Sequence, residues 1–410
     1  MKKKRNYKEE IRVLFILIIV AFTIKTSVAE IYVVPTPSME NTIMVGDMLF
    51  GNKFVYGMKT PTWIGVPYTR MGFDIPWFRL PAFKKVEAGD VVIFEYPRDP
   101  FQKYVKRCVG IAGDMVKMLD GHVYIEDSKM SFPQDGNFSK VFVSPKESQP
   151  SNYPIYADFR KDGEPFTDSD GDGLYTNGET YEDLNANGEY DFGNNQNNIS
   201  SFQVPYKGME INLKDVKDWE SMITLLVLDE ADVQIKINIG NNNELFTFTN
   251  VDPEEISRTR GFLKYKIQSW FSNPKQVQLK QGRDQIKFVE ESFKKYVEEK
   301  KITPWTWRRD FGFNQMLTML YADNNIIMEN ILINGKSISE LGTYTLQHDY
   351  FFMVGDNRDN SYDSRFWGFV PDYHVLGTPV FSVINLNFAK NIELLKPWTY
   401  INIFKLGMID

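Results

Sequence analysis

The sequence predicts a mainly β protein with an N-terminal transmembrane helix and a large α+β insertion. Short β-branched and aromatic runs, bounded by Gly or Asp, lie within residues 90–125 and 331–354 and indicate strands. Between them, residues 253–300 show helical spacing and many Glu–Lys pairs. An apolar stretch follows a basic N-terminus. The predicted divisions are a basic N-terminus (1–10), an anchor (11–34), a first β part (35–127), the insertion (128–328), and a second β part with the C-terminal tail (329–410).

The N-terminus has the charge asymmetry of a membrane anchor. Residues 2–5 are all basic and precede an uninterrupted apolar run at 13–24. That run is shorter than the roughly twenty residues a span needs, but residues 11–34 suffice when Arg12 and Lys25 snorkel. The basic cluster then stays in the cytoplasm. The alternative is a cleaved signal peptide ending at Ser27-Val28-Ala29.

Overall composition indicates a globular protein and argues against a nucleic-acid partner. Charged residues make up 25% and hydrophobic residues 42% of the chain, whose formal charge is −7. Phosphate binding requires a basic face, which this balance does not favour. The single cysteine, Cys108, excludes an intramolecular disulfide.

Residues 54–83 form an aromatic stretch that four prolines keep from being a regular helix. Two interpretations stay open: a long, partly buried hairpin, or an interfacial loop that rests on the membrane.

The pair Ser38 and Lys106 has the residue types of a serine nucleophile and its base. The chain has only three histidines and no Gly-x-Ser-x-Gly elbow, so a histidine triad is not indicated. A lysine serves as base when burial keeps it neutral, and Lys106 lies in an alternating, largely apolar run at 104–109. The Thr36 hydroxyl and the Ser38 N–H would form an oxyanion hole. On its own such a pair is a weak signal, because most serines and lysines are solvated surface residues.

An internal repeat at 163–194 has the spacing of calcium loops. Oxygen ligands stand at the alternate positions that an EF-hand loop uses, with Gly173 at the sharp bend. The first copy supplies Asp168, Asp170, Asp172, the carbonyl of Leu174, and Glu179; the second supplies Asp183, Asn185, Asn187 and Asp191. The second copy has fewer charges and should bind more weakly. The alternative is an acidic, solvated loop.

Residues 355–368 combine acidic, basic and amide side chains between two apolar segments. Such a dense Asp/Arg network is usually a solvated loop, but it can also hold a loop rigid and orient a neighbouring base.

Together these motifs resemble the ordered boxes of bacterial type I signal peptidase. The matching segments are Ser38-Met39, Gly89–Val92, Lys106-Arg107 with Gly110, Gly113-Asp114, and Gly355–Ser361. The resemblance covers roughly 1–127 and 331–385, and it implies an antiparallel β catalytic domain interrupted by the insertion. Pro37, Asn41 and Ala112 depart from the usual pattern, and none of them removes a catalytic group.

The resemblance also implies residue roles. Four residues would act at the reaction: the nucleophile Ser38, the general base Lys106, the oxyanion donor Thr36, and Ser361, which would orient the lysine. Two structural ion pairs would flank them, Arg107 with Asp356 and Asp363 with Arg365.

The implied function is that of a membrane-anchored serine endopeptidase that cleaves signal peptides from exported preproteins after small residues at −1 and −3. Catalysis would need no cofactor, whereas the insertion would bind Ca²⁺. We expect a single-pass protein of the cytoplasmic (inner) membrane, with an extracytoplasmic catalytic domain and no nucleic-acid partner. A different class stays open, a calcium-dependent interaction protein on a degenerate peptidase scaffold. A third possibility also stays open: a Ser-Lys peptidase with few substrates, in which the insertion selects those substrates.

Overall fold

A computed structural model describes residues 7–23, 28–40, 42–65, 70–119, 121–131, 167, 169, 178–181, 198–216, 219–239, 242–304 and 329–385. The strands of this part are β1 (Ala29–Val33), β2 (Asp47–Asn52), β3 (Trp63–Gly65), β4 (Gly72–Asp74), β5 (Val91–Tyr96), β6 (Asp99–Gly110), β7 (Met115–Leu119), β8 (His122–Ile125), β9 (Ser128–Lys129), β10 (Ile199–Gln203), β11 (Glu210–Asn212), β12 (Val233–Ile239), β13 (Asn242–Phe248), β14 (Lys301–Ile302), β15 (Ile331–Ile333), β16 (Lys336–Ser337), β17 (Thr343–Thr345), β18 (Tyr350–Val354), β19 (Val370–Pro371) and β20 (Val375–Asn385).

The helices are α1 (Tyr7–Thr23), α2 (Trp219–Leu228), α3 (Pro253–Thr259), α4 (Phe262–Phe271), α5 (Pro274–Glu298), α6 (Ile338–Leu341) and α7 (Ser364–Trp367). Short 3-10 turns cover Pro37–Met39, Arg358–Asn360 and Asp372–His374. Asp252 and Asn273 cap α3 and α5 through side-chain bonds to backbone N–H groups, and each helix begins with a proline.

The largest sheet joins the two predicted β parts of the chain. Its seven strands lie in the order β1-β2-β20-β5-β6-β18-β19, and every pair is antiparallel. The prediction of a mainly β, antiparallel fold is therefore confirmed, as are the strands predicted around residues 90–125 and 331–354. The sheet brings β6, which carries Lys106, next to β18, which leads into residues 355–368.

The segment predicted as an insertion shares sheets and core with the rest of the described chain. Strand β10 pairs with β7, and β12 pairs with β15. One buried cluster includes Val109 and Val116 of the first β part together with Trp219, Leu226 and Phe246. The predicted helices between 253 and 300 are confirmed as α3 to α5. The boundaries at 128 and 328 remain a prediction, and the sheets cross both.

The predicted anchor at 11–34 is wrong at its C-terminal end. Helix α1 is described over Tyr7–Thr23, and residues 29–33 form β1, which pairs with β2 in the large sheet. Hydropathy alone cannot distinguish the end of a membrane helix from the strand β1, because a short apolar run fits either a helix or a strand. Within the described residues, no helix combines the length and the apolar character that crossing a membrane requires.

The aromatic ribbon, residues 54–83, contains a hairpin of β3 and β4 and an antiparallel bridge from Lys59 to Arg79. Its base is fixed to the large sheet, because the Lys59 Nζ lies 3.0 Å from Glu95 and Arg79 donates to the carbonyl of Val375. Several of its apolar side chains are exposed, among them Ile64, Met71, Phe73, Phe78 and Phe83. The hairpin interpretation is therefore correct, and the predicted membrane contact stays a prediction.

Candidate active site

Ser38 lies in the tight turn Pro37–Met39 between β1 and β2. Pro37 occupies the first position of this turn, where its fixed φ and its missing N–H cost nothing. Two bonds from Asn357 hold the turn: its N–H donates to the Ser38 carbonyl, and its side-chain amide donates to the Pro37 carbonyl, each at 3.0 Å. The serine is buried, with 6% of its surface exposed.

Lys106 reaches Ser38 from the neighbouring strand β6. Its Nζ lies 2.6 Å from the Ser38 Oγ and 3.1 Å from the Val105 carbonyl oxygen. Lys106 is 4% exposed, so its amine is removed from water. A buried hydroxyl in hydrogen-bond contact with a buried amine is the geometry that nucleophilic catalysis needs.

Burial lowers the pKa of Lys106 from 10.5 to about 8. The carboxylates of Asp363 and Asp356 work in the opposite direction, because they favour the ammonium form, while Arg365 adds to the lowering. The desolvation effect is the largest. An amine with this pKa is neutral in an appreciable fraction of molecules near pH 7 to 8, which a general base requires.

Two buried ion pairs flank the serine and the lysine. Arg107 binds Asp356 through two parallel hydrogen bonds of 2.9 Å, and it also donates to the Gly89 carbonyl. Arg365 binds Asp363 at 2.8 and 3.0 Å. Asp363 also caps α7 and accepts from the Gly355 N–H. Burial alone would raise the pKa of Asp363, but Arg365 and these donors hold it below its usual value.

Thr36 and Ser361 are close to the site, but Ser361 is not bonded to Lys106 as predicted. The Thr36 Oγ1 lies 3.4 Å from the Ser38 Oγ, longer than an ordinary O–H···O bond, and Thr36 is exposed. The buried Ser361 Oγ makes no hydrogen bond of regular geometry in the described part of the chain, so it does not reach Lys106. It is nevertheless near enough to Asp363 to help lower the pKa of that carboxyl, which places it at the carboxylate rather than the amine.

Sequence reasoning missed three residues that hold the site together. Asn357 binds the turn around Ser38, and the Thr42 hydroxyl donates to Asp356 at 2.6 Å. Arg358, fully buried, donates to the carbonyls of Gly355 and Gly121. Asn357 and Arg358 belong to the motif at 355–361 and could have been singled out there. Thr42 stands at the threonine of the box Ser-Met-x-Pro-Thr, in which Asn41 replaces the proline, so the resemblance carried a signal for it as well.

Gly355 shows how closely these segments pack. A Cβ at this position would collide with the Ser361 Oγ and with the Ser38 carbonyl oxygen. A glycine is therefore required where the loop after β18 passes the serine turn.

The predicted calcium ligands lie outside the described residues, with the exception of Glu179. Its carboxylate accepts from both the N–H and the hydroxyl of Ser169, at 2.6 and 2.9 Å. The Thr167 N–H donates to the Thr180 carbonyl, so the two ends of the first loop are in contact. Within the described residues, no group of three or more acidic, histidine or cysteine side chains is placed to hold a metal ion.

Comparison with known proteins gives a family match and several similar relatives. The profile of the family described as "Signal peptidase, peptidase S26" matches residues 7–170 and 287–384. Proteins named "Signal peptidase I" are 32% identical over 139 residues in Rickettsia typhi and 33% identical over 147 residues in Rickettsia akari. These matches cover 33% and 34% of this chain, and 50% and 53% of the relatives. The chain thus spans about half the length of these relatives.

The family profile covers both segments that build the site, the stretch with Ser38 and Lys106 and the stretch with residues 355–368, and it leaves 171–286 unmatched. Since the matched residues make up more than half of the sequence, the chain belongs to the signal peptidase family, peptidase S26.

Proposed function

We propose that this protein is a serine endopeptidase that removes N-terminal signal peptides from exported preproteins, with Ser38 as nucleophile and Lys106 as general base. The observation that carries the proposal is the buried contact of 2.6 Å between the Ser38 Oγ and the Lys106 Nζ. The lowered pKa of Lys106 supports the same roles. Membership of the signal peptidase family, and relatives named "Signal peptidase I", support the reaction class.

The chemistry follows from these positions. Neutral Lys106 accepts the Ser38 hydroxyl proton as the Oγ attacks the scissile carbonyl carbon. The oxyanion is stabilised by the Ser38 N–H and, after a small rotation, by the Thr36 hydroxyl. When the C–N bond breaks, the Lys106 ammonium returns the proton to the leaving amine, and an acyl-enzyme remains. Lys106 then takes a proton from water as the water oxygen attacks the ester carbonyl. The Lys106 ammonium returns this proton to the departing Ser38 Oγ, which releases the acyl product and restores the free serine and the neutral lysine.

The ion pairs act as positioning groups in this scheme. Asp363 and Arg365 fix the loop that passes behind Ser38, and Arg107 with Asp356 ties β6 to the same loop. Ser361, next to Asp363, helps lower the pKa of the carboxylate that faces Lys106.

The proposed substrates are preproteins still held in the membrane, with small residues at the −1 and −3 positions. We propose that the segment containing α1, preceded by the basic residues 2–5, anchors the chain in the cytoplasmic membrane. The exposed apolar side chains of the aromatic ribbon would then face the lipid, next to the site where substrates arrive.

Cleavage of a model preprotein by full-length variants in detergent tests the proposal. Ser38→Ala and Lys106→Met should each abolish cleavage. Lys103→Met is the matched control because Lys103 lies on the same strand, pairs with Glu95, and is not in contact with Ser38. Processing that persists in Ser38→Ala would refute the proposal, and so would an equal loss in the Lys103 variant and the Lys106 variant.

The repeat at 163–194 supports a second proposed property, calcium binding that stabilises this region. The contact of Glu179 with Ser169 brings position 12 of the first loop next to position 2, as loop closure requires. Calcium should raise the midpoint of thermal unfolding in the wild type and not in Asp168→Asn, since a ligand at a hundred times its Kd stabilises by about 2.7 kcal/mol. An equal rise in both proteins would refute the assignment.

A further inference from the structure

Helices α4 and α5 form a hairpin that exposes large apolar side chains. In α4 these are Ile267, Trp270 and Phe271, spaced three and four residues apart and so on one face of the helix. Trp270 is 69% and Phe271 83% exposed. In α5 they are Leu279 and Ile286, two turns apart and also on one face.

The hairpin is held together by other residues. The Tyr265 hydroxyl donates to Asp284 at 2.6 Å, and the guanidinium of Arg260 lies 4.1 Å from the ring centre of Phe288. The buried side chains of α5 are Val277 near its start and Val289 and Phe293 in its second half. The exposed apolar side chains are therefore not needed for the packing of the two helices.

The same hairpin is basic in an acidic protein. Helices α4 and α5, residues 262–298, carry eight basic residues, Lys264, Lys266, Lys275, Lys280, Arg283, Lys287, Lys294 and Lys295, against four acidic residues, Asp284, Glu290, Glu291 and Glu298, which gives +4. The three glutamates lie beyond residue 287, so the part with the exposed apolar side chains, residues 262–287, has six basic residues against one acidic residue, or +5. The chain as a whole carries −7. Arg283 lies four residues after Leu279 and three before Ile286, so charge and apolar surface alternate along one side of α5.

The aromatic ribbon contacts α3, the helix that packs against α5 of the hairpin. The Arg70 guanidinium donates to the Thr259 hydroxyl at 3.0 Å and pairs with Asp99, so it ties the ribbon to α3, three residues before α4. The exposed Met71 and Phe73 follow Arg70 directly. The ribbon and the hairpin therefore both contact α3, and both expose large apolar side chains.

We infer that the α4–α5 hairpin docks on an anionic lipid surface, with Trp270 and Phe271 at the acyl boundary and the flanking lysines and arginines at lipid phosphates. Exposed aromatic residues combined with a dense positive charge are the features of helices that lie in a membrane interface. A zwitterionic lipid surface would accept the apolar side chains but would offer no net negative charge to the lysines and arginines. An acidic protein would pair with the basic residues but would offer no apolar layer for Trp270 and Phe271. The exposed apolar side chains of this surface lie within residues 171–286, which the family profile leaves unmatched, and the surface is independent of the chemistry at Ser38.

Site-specific fluorescence on the full-length chain tests the inference. The only native cysteine, Cys108, is fully buried, so a thiol-reactive, polarity-sensitive dye can be attached to Phe271→Cys with the unsubstituted chain as background. The labelled protein is reconstituted into phosphatidylcholine vesicles with or without phosphatidylglycerol. Lys295→Cys is the matched control, because Lys295 lies on α5 nine residues beyond Ile286 and so on the opposite side of the helix.

We expect the dye at 271 to shift to the blue, to lose several-fold of its quenching by iodide, and to be quenched by doxyl-labelled lipid, only in vesicles with phosphatidylglycerol. The dye at 295 should stay accessible to iodide. Replacing Lys280 and Lys287 together by Gln should weaken the apparent affinity for phosphatidylglycerol about thirtyfold, at roughly fivefold per basic residue. Cleavage of a model preprotein in detergent reports that each variant is folded.

Equal iodide access at 271 with and without phosphatidylglycerol would overturn the inference. Protection that is already complete in detergent would also overturn it, since the face would then be covered by this chain or by a second copy. Protection by a second copy would decrease as the protein is diluted, whereas protection by the same chain would not change.

Discussion

Acidification from pH 9 to pH 6 should switch off peptide cleavage through the protonation of Lys106. Burial lowers the pKa of this lysine from 10.5 to about 8, a difference worth ~3 kcal/mol between its two protonation states. At pH 7 about a tenth of the lysine is then neutral, against roughly three molecules in ten thousand for a lysine of ordinary pKa. We therefore expect kcat/KM to be half-maximal near pH 8 and about fiftyfold lower at pH 6 than at pH 8.

The assay is the initial rate of cleavage of a fluorogenic peptide that spans a signal-peptide cleavage site, measured in detergent at constant ionic strength. His348→Gln is the control variant. His348 lies 3.1 Å from Asp372, a contact that raises its pKa from 6.5, so it could itself produce a pH dependence near neutrality. The His348 variant should keep the wild-type profile. A wild-type rate that changes less than about threefold between pH 6 and pH 8 would refute the role of Lys106 as base.

Three further predictions concern the same site. Lys106→Met should be inactive, but its free energy of unfolding in urea at pH 7 should be about 1–3 kcal/mol higher than that of the wild type. The reason is that the pKa of Lys106 is lower in the folded than in the unfolded protein, so the wild type gains stability only as the pH rises from 8 towards 10.5. A less stable variant would contradict this. Arg107→Met should lower the free energy of unfolding by about 3–5 kcal/mol, and adding Asp356→Leu should restore most of it. A loss below about 1 kcal/mol in the single variant would show that the ion pair does not stabilise the fold. Thr36→Val should lower kcat about a hundredfold with little change in KM, whereas Thr36→Ser, which keeps the hydroxyl, should keep a kcat near that of the wild type. An unaltered kcat in the valine variant would exclude the role of Thr36 as oxyanion donor.

Much of the fold could be predicted because local patterns carry it. The strands around residues 90–125 and the helices between 253 and 300 have clear periodicities, and the structure places elements there. The alternation at 104–109 indicated that a strand could bury the amine of Lys106, which lies on β6. The extent of the anchor was predicted less well, since a short apolar run does not distinguish the end of a helix from the strand β1.

The contacts that hold the site could not be predicted in this way. Asn357 and Thr42 bind partners about 315 residues away along the chain, and no local pattern encodes such a pairing. The position of Ser361 beside Asp363 rather than Lys106 depends on how the loop after β18 closes against Gly355. The crossing of the predicted boundaries at 128 and 328 likewise depends on which strands pair.

The sequence by itself determined the reactive residue types, their order along the chain and the mainly β class, because these follow from local composition, spacing and motif. The tertiary structure alone decided that the Ser38 hydroxyl and the Lys106 amine meet at 2.6 Å in a buried site. It also decided that the pKa of the lysine falls, since desolvation depends on everything packed around the amine. The same packing decided that the ribbon contacts α3, the helix against which α5 packs, through the bond from Arg70 to Thr259.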